Sequence, residues 1–340
     1  MNLYEKYDAP GMAPEGLFTA LARAEDRVSR LDERVRACGF VDGWRQRADV
    51  RAAIAAMAAN GTSVHPEDLV LHDLAADIRP PDATVADARR LLQARRKARR
   101  GGPELLSWSG LAWLSGRTPQ APPPGARPSV QLGEAAVAAG GYAGLASFFD
   151  GLEKGESESA RAGVEDCLAV LDVPAVTPLL QAAALMEAWR IVSPLPRQQP
   201  IGGLAASVLL TTTGRFTSGL LPLEVGLGRR GLPPRLAWAP LDERLAFWLG
   251  VLEACADREL EELTRLGHKK AIIERKAAGG RRSNRGPALA KLAVDSLVLT
   301  TDSIARSLAI TPQASLQLVR RMEGALQEIT GRSRYRVWRL

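Results

Sequence analysis

The sequence predicts a mainly α protein, a helical body followed by a C-terminal winged helix-turn-helix with a short β-hairpin. Three observations carry that expectation. Ala and Leu dominate, with Arg, Glu and Asp between them, a helix-favouring mixture. Aromatic residues make up only 5%, which argues against an extended β architecture. The last 55 residues hold two capped helix starts around a tight turn, then a hairpin pattern, within an excess of positive charge.

Leu17, Leu21, Ala24, Val28, Leu31 and Val35 recur at helical spacing. A small-residue helix through Ala52–Ala59 stops at Asn60-Gly61, and Thr62–Asp68 reads as a turn and a new helix start. Thr84 is read as the next cap, with Asp87 at capping-box distance, opening a helix that runs through Arg89–Arg100. Residues 116–129 are Pro-rich and pack poorly. Helix resumes from Leu132 to Leu171. Thr177-Pro178 opens another helix reaching Val192, 194–200 is a loop, and Ile201–Thr212 is an apolar helix. Glycines and prolines at 226–234 mark a further loop before a long amphipathic helix from Leu241 to about Lys276. The expected division is an N-terminal helical segment (1–115), a linker (116–130), a helical core (131–278) and the winged helix-turn-helix (279–340).

Charge is uneven. From Arg265 onward there are 16 Lys or Arg against 5 Asp or Glu, a local balance of +11 in a chain of net +7, so the end is basic and the body mildly acidic. A basic end on an acidic body points to a polyanion. Cys38, Cys167 and Cys255 lie far apart without a CxxC and read as free thiols of a reducing compartment. The longest apolar stretch, Ile201–Leu210, is too short to span a bilayer, and no signal-peptide pattern opens the chain. The expected location is the cytoplasm, at the nucleoid when bound to DNA.

Pro287 starts the first helix of the terminal unit. Thr300 or Thr301 caps a second helix over Asp302–Leu308, Ala309-Ile310 turns the chain, and Thr311-Pro312 starts a third, Thr as cap and Pro in the first turn. Such a third helix enters a major groove. Thr311, Gln313, Ser315 and Gln317 near its start carry donors and acceptors for base edges or phosphates. Arg320 and Arg321 follow, and Arg332, Arg334 and Arg336 sit in the expected wing, with Arg282 and Arg285 in the basic hinge before it. These suit phosphates or a minor groove.

The body's stretch Ser193-Pro194-Leu195-Pro196-Arg197-Gln198-Gln199-Pro200-Ile201-Gly202-Gly203 lies between two apolar helices. In this layout it resembles the HPFxxGNGR loop of Fic-type proteins. That resemblance implies a helical Fic core and, in active members, nucleotide transfer by a His base, a metal-holding acid, a Gly-Asn-Gly anion nest and a phosphate-clamping Arg. Here Ser193 stands at the His position, Arg197 at the acid and Ile201 at the Arg. A serine hydroxyl is no general base near neutral pH, an arginine repels a cation, and Pro200 brings no N–H to a nest. The position of the family's inhibitory S/TxxxEG helix reads Ala56–Gly61, lacking both hydroxyl and glutamate. The blocks Arg23–Asp26, Leu31–Arg34 and Leu69–Asp73 resemble a bacterial helix-turn-helix family that is often plasmid-associated.

His65 and His72 flank Glu67, Asp68 and Asp73 at no established metal-ligand spacing, so capping and surface hydrogen bonding are the expected roles. Gly226–Gly231 lacks a preceding strand and a GK[ST] signature and reads as a surface loop. The Arg89–Arg100 run is read evenly as a solvated face or a second phosphate contact. Tryptophans such as Trp44, Trp189, Trp238 and Trp248 are expected in core or interface packing.

The functional expectation is sequence-specific binding of double-stranded DNA and transcriptional regulation, without catalysis, metal or cofactor. Paired half-sites would favour a homodimer, and the body offers a surface for a protein partner. Two rivals stand beside it. One is a nucleotide-transferring Fic-type enzyme with a rearranged site. The other is a protein-interaction adaptor or antitoxin-like module.

Overall fold

The computed structural model describes residues 15–74, 80–122, 141–152, 158–173, 177–278, 285–331 and 336–340. The body comprises α1 (Glu15–Ala37), α2 (Val41–Ala59), α3 (Pro66–Asp73), α4 (Ala83–Ala98), α5 (Trp108–Leu114), α6 (Gly141–Leu152), α7 (Ala160–Leu168), α8 (Pro178–Val192), α9 (Pro200–Thr212), α10 (Leu223–Arg230) and α11 (Leu241–Ala278). The terminal unit follows as α12 (Gly286–Asp295), β1 (Leu299–Thr300), α13 (Thr301–Leu308), α14 (Pro312–Arg321), β2 (Gln327–Glu328) and β3 (Val337–Arg339). The fold is mainly α, with one small sheet among the described residues.

The 38 residues of α11 extend about 57 Å at 1.5 Å per residue. That length lets one helix serve both units. Along α1 the expected stripe is buried at Leu17, Ala24, Val28, Leu31 and Val35 and packs on α11. Arg23 and Arg27 reach Glu253 and Asp257 across that contact. One continuous core runs from Leu17 through the body to Leu318, Trp338 and Leu340. Residues 123–130 of the expected linker and 132–140 of the expected following helix lie outside the described residues.

Local signals place most helix ends. Thr177 accepts from the Leu180 N–H, and Ser159 caps α7 in the same way. Gly61 stops the chain after α2 with φ +74°. Two expectations are corrected. The cap of α4 is Asp82, which accepts from the Val85 N–H at 2.7 Å, so the helix starts before Thr84. Residues 223–230 form a helix instead of a surface loop, because the glycines serve packing: a Cβ on Gly226 would lie 2.1 Å from the Val251 carbonyl of α11.

The Arg89–Arg100 run is neither a solvated face nor a phosphate contact along most of its length. Arg95 is fully buried, donating to Asp49 at 3.0 Å and to the Leu220 and Leu221 carbonyls. Arg99 pairs with Asp49, and Arg96 grips Asp73 with two bonds of 2.8 and 2.7 Å. Lys97 sits over the Trp113 ring. These arginines hold α4 to α2, α3 and the loop before α10. Trp44, Trp189 and Trp248 are buried as expected, whereas Trp238 is 84% exposed. Cys167 and Cys255 are buried free thiols, and burial pushes Cys167 up to about 12.

Arg95→Ala strands a buried carboxylate and two carbonyls, so it should cost about 3–5 kcal/mol of stability. Urea unfolding of the wild type and the variant measures it, as a lower midpoint at unchanged slope.

Candidate nucleic-acid interface

The terminal unit is built from short-range signals. In α13, Thr300 accepts from the Ser303 N–H and the Ser303 hydroxyl accepts from the Thr300 N–H, a reciprocal capping box. The helix ends at Ala309, held in the left-handed region at φ +50°, with the Ile310 N–H returned to Ala305. Thr311 then caps α14, accepting from the Ala314 N–H at 3.2 Å, and Pro312 occupies its first turn. Cap, turn and second cap therefore stand at the expected residues.

Helical phase decides which side chains of α14 are presented. Leu318 and Val319, with Met322 just beyond the helix, are buried against the core. Thr311, Gln313, Gln317, Arg320 and Arg321 are exposed. Gln313, Gln317 and Arg320 follow one another at four and three residues, which sets them on one stripe. Among the described residues, Arg320 and Arg321 pair with no carboxylate. Ser315 is corrected as a candidate reader: it is fully buried and its hydroxyl donates to the Thr311 carbonyl at 3.2 Å. It lies two residues from Gln313 and Gln317, on the opposite side of the turn.

The sheet orders its strands β1-β3-β2, all antiparallel, with Leu299 opposite Trp338 and Glu328 also opposite Trp338. Strands β2 and β3 form the expected hairpin. Its tip, including Arg332 and Arg334, lies outside the described residues, as does Arg282 of the hinge. Arg336 is half-buried, with Nε 3.7 Å from Glu328 across the hairpin. Arg285 is exposed and donates to the Ala309 carbonyl at 3.1 Å, bracing the turn between α13 and α14.

Residues that sequence reading did not single out fix this unit to the body. Arg47 of α2 donates to Val294 and Ser296 carbonyls at 2.9 Å and to Ala293 at 3.2 Å. Beside it, Gln46 donates to the Asp295 carbonyl and accepts from the Leu297 N–H. Both partners lie some 250 residues away along the chain, so no local pattern announces them. Burial, then the neighbouring Arg51, draw the Arg47 pKa down to about 10, which leaves the group charged at neutral pH. Lys269 of α11 donates to the Leu340 carbonyl at 2.8 Å, and Lys276 donates to that of Glu323.

In the body, residues 193–199 form a loop between α8 and the apolar α9, whose first turn holds residues 200–203, the layout the Fic resemblance implies. Ser193 ends α8 at φ +47° and its hydroxyl accepts from the Gln199 amide. Arg197 lies in a 3₁₀ turn, Pro196–Gln198. The Gln198 and Gly202 N–H groups donate to Leu195 and Gln199 carbonyls, and Ile201 is buried. His65 stands at the cap position of α3 without a side-chain cap bond. Among the described residues, no group of His, Cys, Asp and Glu is placed to hold a metal ion. No helix among them is long and apolar enough to cross a membrane.

Fold and site together define a winged helix-turn-helix DNA-binding unit on a Fic-like helical body. Residues 287–340 match the family described as HTH DNA binding domain, and residues 158–278 match one described as protein of unknown function (DUF1612). The uncharacterized protein y4cF of Sinorhizobium fredii is 28% identical over 382 aligned positions, covering 98% of this chain and 99% of the relative. The crystal structure of a Fic family protein from Desulfovibrio desulfuricans G20 shares the fold, with a TM-score of 0.51 at 14% identity and 98% of each chain covered.

Because Ser315 faces the core, Ser315→Ala should leave base preference unchanged. Gln317→Ala, on the open stripe, should relax preference at one base step by about 1–3 kcal/mol. Selection of bound sequences from a random DNA pool distinguishes the two.

Proposed function

We propose that this protein is a sequence-specific transcriptional regulator that reads double-stranded DNA with α14, on a Fic-like body that transfers no nucleotide. The observation that carries the reading is the open stripe of Gln313, Gln317 and Arg320, with Arg321 beside it, on a helix capped at Thr311 and packed through its other face. Amide side chains suit the base edges, adenine above all, and the two arginines suit phosphates. The wing arginines 332 and 334 would extend those contacts, and Arg282 would add one from the hinge. One reading helix spans few base pairs, so a homodimer on paired half-sites is part of the proposal.

The loop residues lack the groups that nucleotide transfer would need. The Ser193 hydroxyl is engaged by Gln199, and among the described residues no hydrogen bond joins it to a histidine that could take its proton. At the start of α9, Pro200 has no N–H, those of Gln198 and Gly202 are directed to carbonyls, and Ile201 supplies no charge to clamp a phosphate. Incubation with radiolabelled ATP and Mg²⁺ or Mn²⁺ should therefore leave the protein and cell extract unlabelled beyond background. Label that disappears in Ser193→Ala would favour the enzyme.

Arg320→Ala with Arg321→Ala should weaken binding on every sequence and reduce the slope of log K against log salt by roughly 2, one per phosphate contact. Gln313→Ala should instead alter preference and leave non-specific affinity in place. Fluorescence titrations of operator and random duplexes over a salt series read both, with the operator taken from a genome-wide footprint. An unchanged salt slope would remove the arginines from the interface.

A further inference from the structure

A cavity of about 280 Å³ lies where α2, α11 and the root of the hairpin meet. Two pairs of cations, each pair one helical turn apart, line it: Arg47 and Arg51 on α2, and Arg265 and Lys269 on α11. Arg339 of β3 supplies a third wall, and Glu262 is the carboxylate among the lining residues. Arg339 stands opposite Gln327 in the hairpin register, at the open end of the two strands. The cavity is therefore at the end of the hairpin away from its tip, where a wing would not touch DNA.

The carboxylates at hand do not balance these cations. Arg51 pairs with Glu259, Arg265 with Glu262, and Arg339 with Glu67 at 2.9 Å. Glu262 is moreover shared with Arg258, at 2.8 Å. Among the described residues, Arg47 and Lys269 pair with no Asp or Glu: Arg47 donates to the carbonyls of Gly43, Ala293, Val294 and Ser296, and Lys269 to that of Leu340. Burial, then the charges of Arg265, Arg339 and Arg47, draw the Lys269 pKa below its ordinary value, with Glu262 opposing them. The cations thus repel one another across the cavity, and an anion between them relieves that repulsion. Lys269 and Arg265 are exposed, so their charged ends are reachable from solvent. Lys269 uses one of three N–H groups on Leu340, and Arg51 directs Nε and Nη2 to Glu259, which leaves Nη1. A tetrahedral dianion matches this arrangement, with oxygens for three walls and geometry suited to guanidinium donors.

We propose that this cavity binds a phosphate group, as the free ion or as a small monoester, between Arg265 and Lys269 of α11, Arg51 of α2 and Arg339 of β3. Bound there, it ties the root of the hairpin to the body. Inorganic phosphate is the probe, titrated calorimetrically into the full chain against KCl of matched ionic strength. Saturable 1:1 binding and a raised thermal midpoint are expected. Lys269→Met should weaken binding at least about tenfold, and Arg265→Gln similarly. Lys270→Gln alters the next residue, which lies outside the cavity and pairs with Glu274, and should leave binding unchanged. If circular dichroism shows Lys269→Met unfolded, Arg265→Gln decides alone. Glycerol phosphate, titrated in parallel, separates the two sources: tighter binding than that of phosphate assigns the monoester, equal or weaker binding the free ion. Absence of saturable phosphate binding, an equal loss in Lys270→Gln, or displacement of phosphate by a random-sequence duplex, which would give the cavity to the DNA backbone, would overturn the proposal.

Discussion

The orientation of α13 and α14 depends on how the end of α12 is held. The last carbonyls of a helix have no partner within it, and at α12 those of Ala293, Val294 and Asp295 face the body. Arg47 and Gln46 satisfy them from α2 and hold Ser296 and Leu297 as well. The approach is close enough that a Cβ at Gly43 would lie 2.0 Å from the Val294 carbonyl, which leaves glycine as the residue that fits. A charged donor stabilises such carbonyls more than a neutral one, and burial strengthens the bond while removing competing water. With α12 fixed, α13 packs on it, and α14 on α13, in an orientation set by the body.

The same logic recurs inside the body. Asp32 of α1 accepts from the Thr217 and Ser218 N–H groups and the Thr217 hydroxyl, pinning the loop after α9. Glu187, wholly buried on α8, binds Arg190, Arg244 and the Trp248 indole, tying α8 to α11. Arg51 of α2 pairs with the buried Glu259 of α11. Asp32 and Glu187 are buried with several partners each, so removing one member strands the others. Helices with shallow apolar stripes are thereby given one relative arrangement.

Legibility followed the range of the interaction. Caps, turns and helical periods are local, and Thr177, Thr300, Thr311 and the Leu17–Val35 stripe were visible for that reason. Asp82 was missed in favour of Thr84 because both are good caps and only the helix start separates them. Ser315 was misplaced because residue type suggested a contact that helical phase forbids. The α4 arginines looked like a charge run, since their carboxylates, Asp49, Asp73 and Glu224, lie elsewhere in the chain. Gly226 read as a loop because the Val251 carbonyl that demands it belongs to another helix.

The Fic-like loop shows why a layout can persist when its polar motif differs. The entry and exit helices are held by apolar burial, Leu179–Trp189 on one side and Leu204–Leu210 on the other, and that needs no histidine, acid or arginine between them. What the loop must do is turn and satisfy its own backbone. Ser193 makes the turn in the left-handed region, Gln199 bonds its hydroxyl, Gln198 reaches the Ser115 carbonyl, and Pro200 opens α9 without an N–H to satisfy. The loop's polar side chains are therefore spent within the body, Ser193 and Gln199 on each other and Gln198 on the chain end of α5.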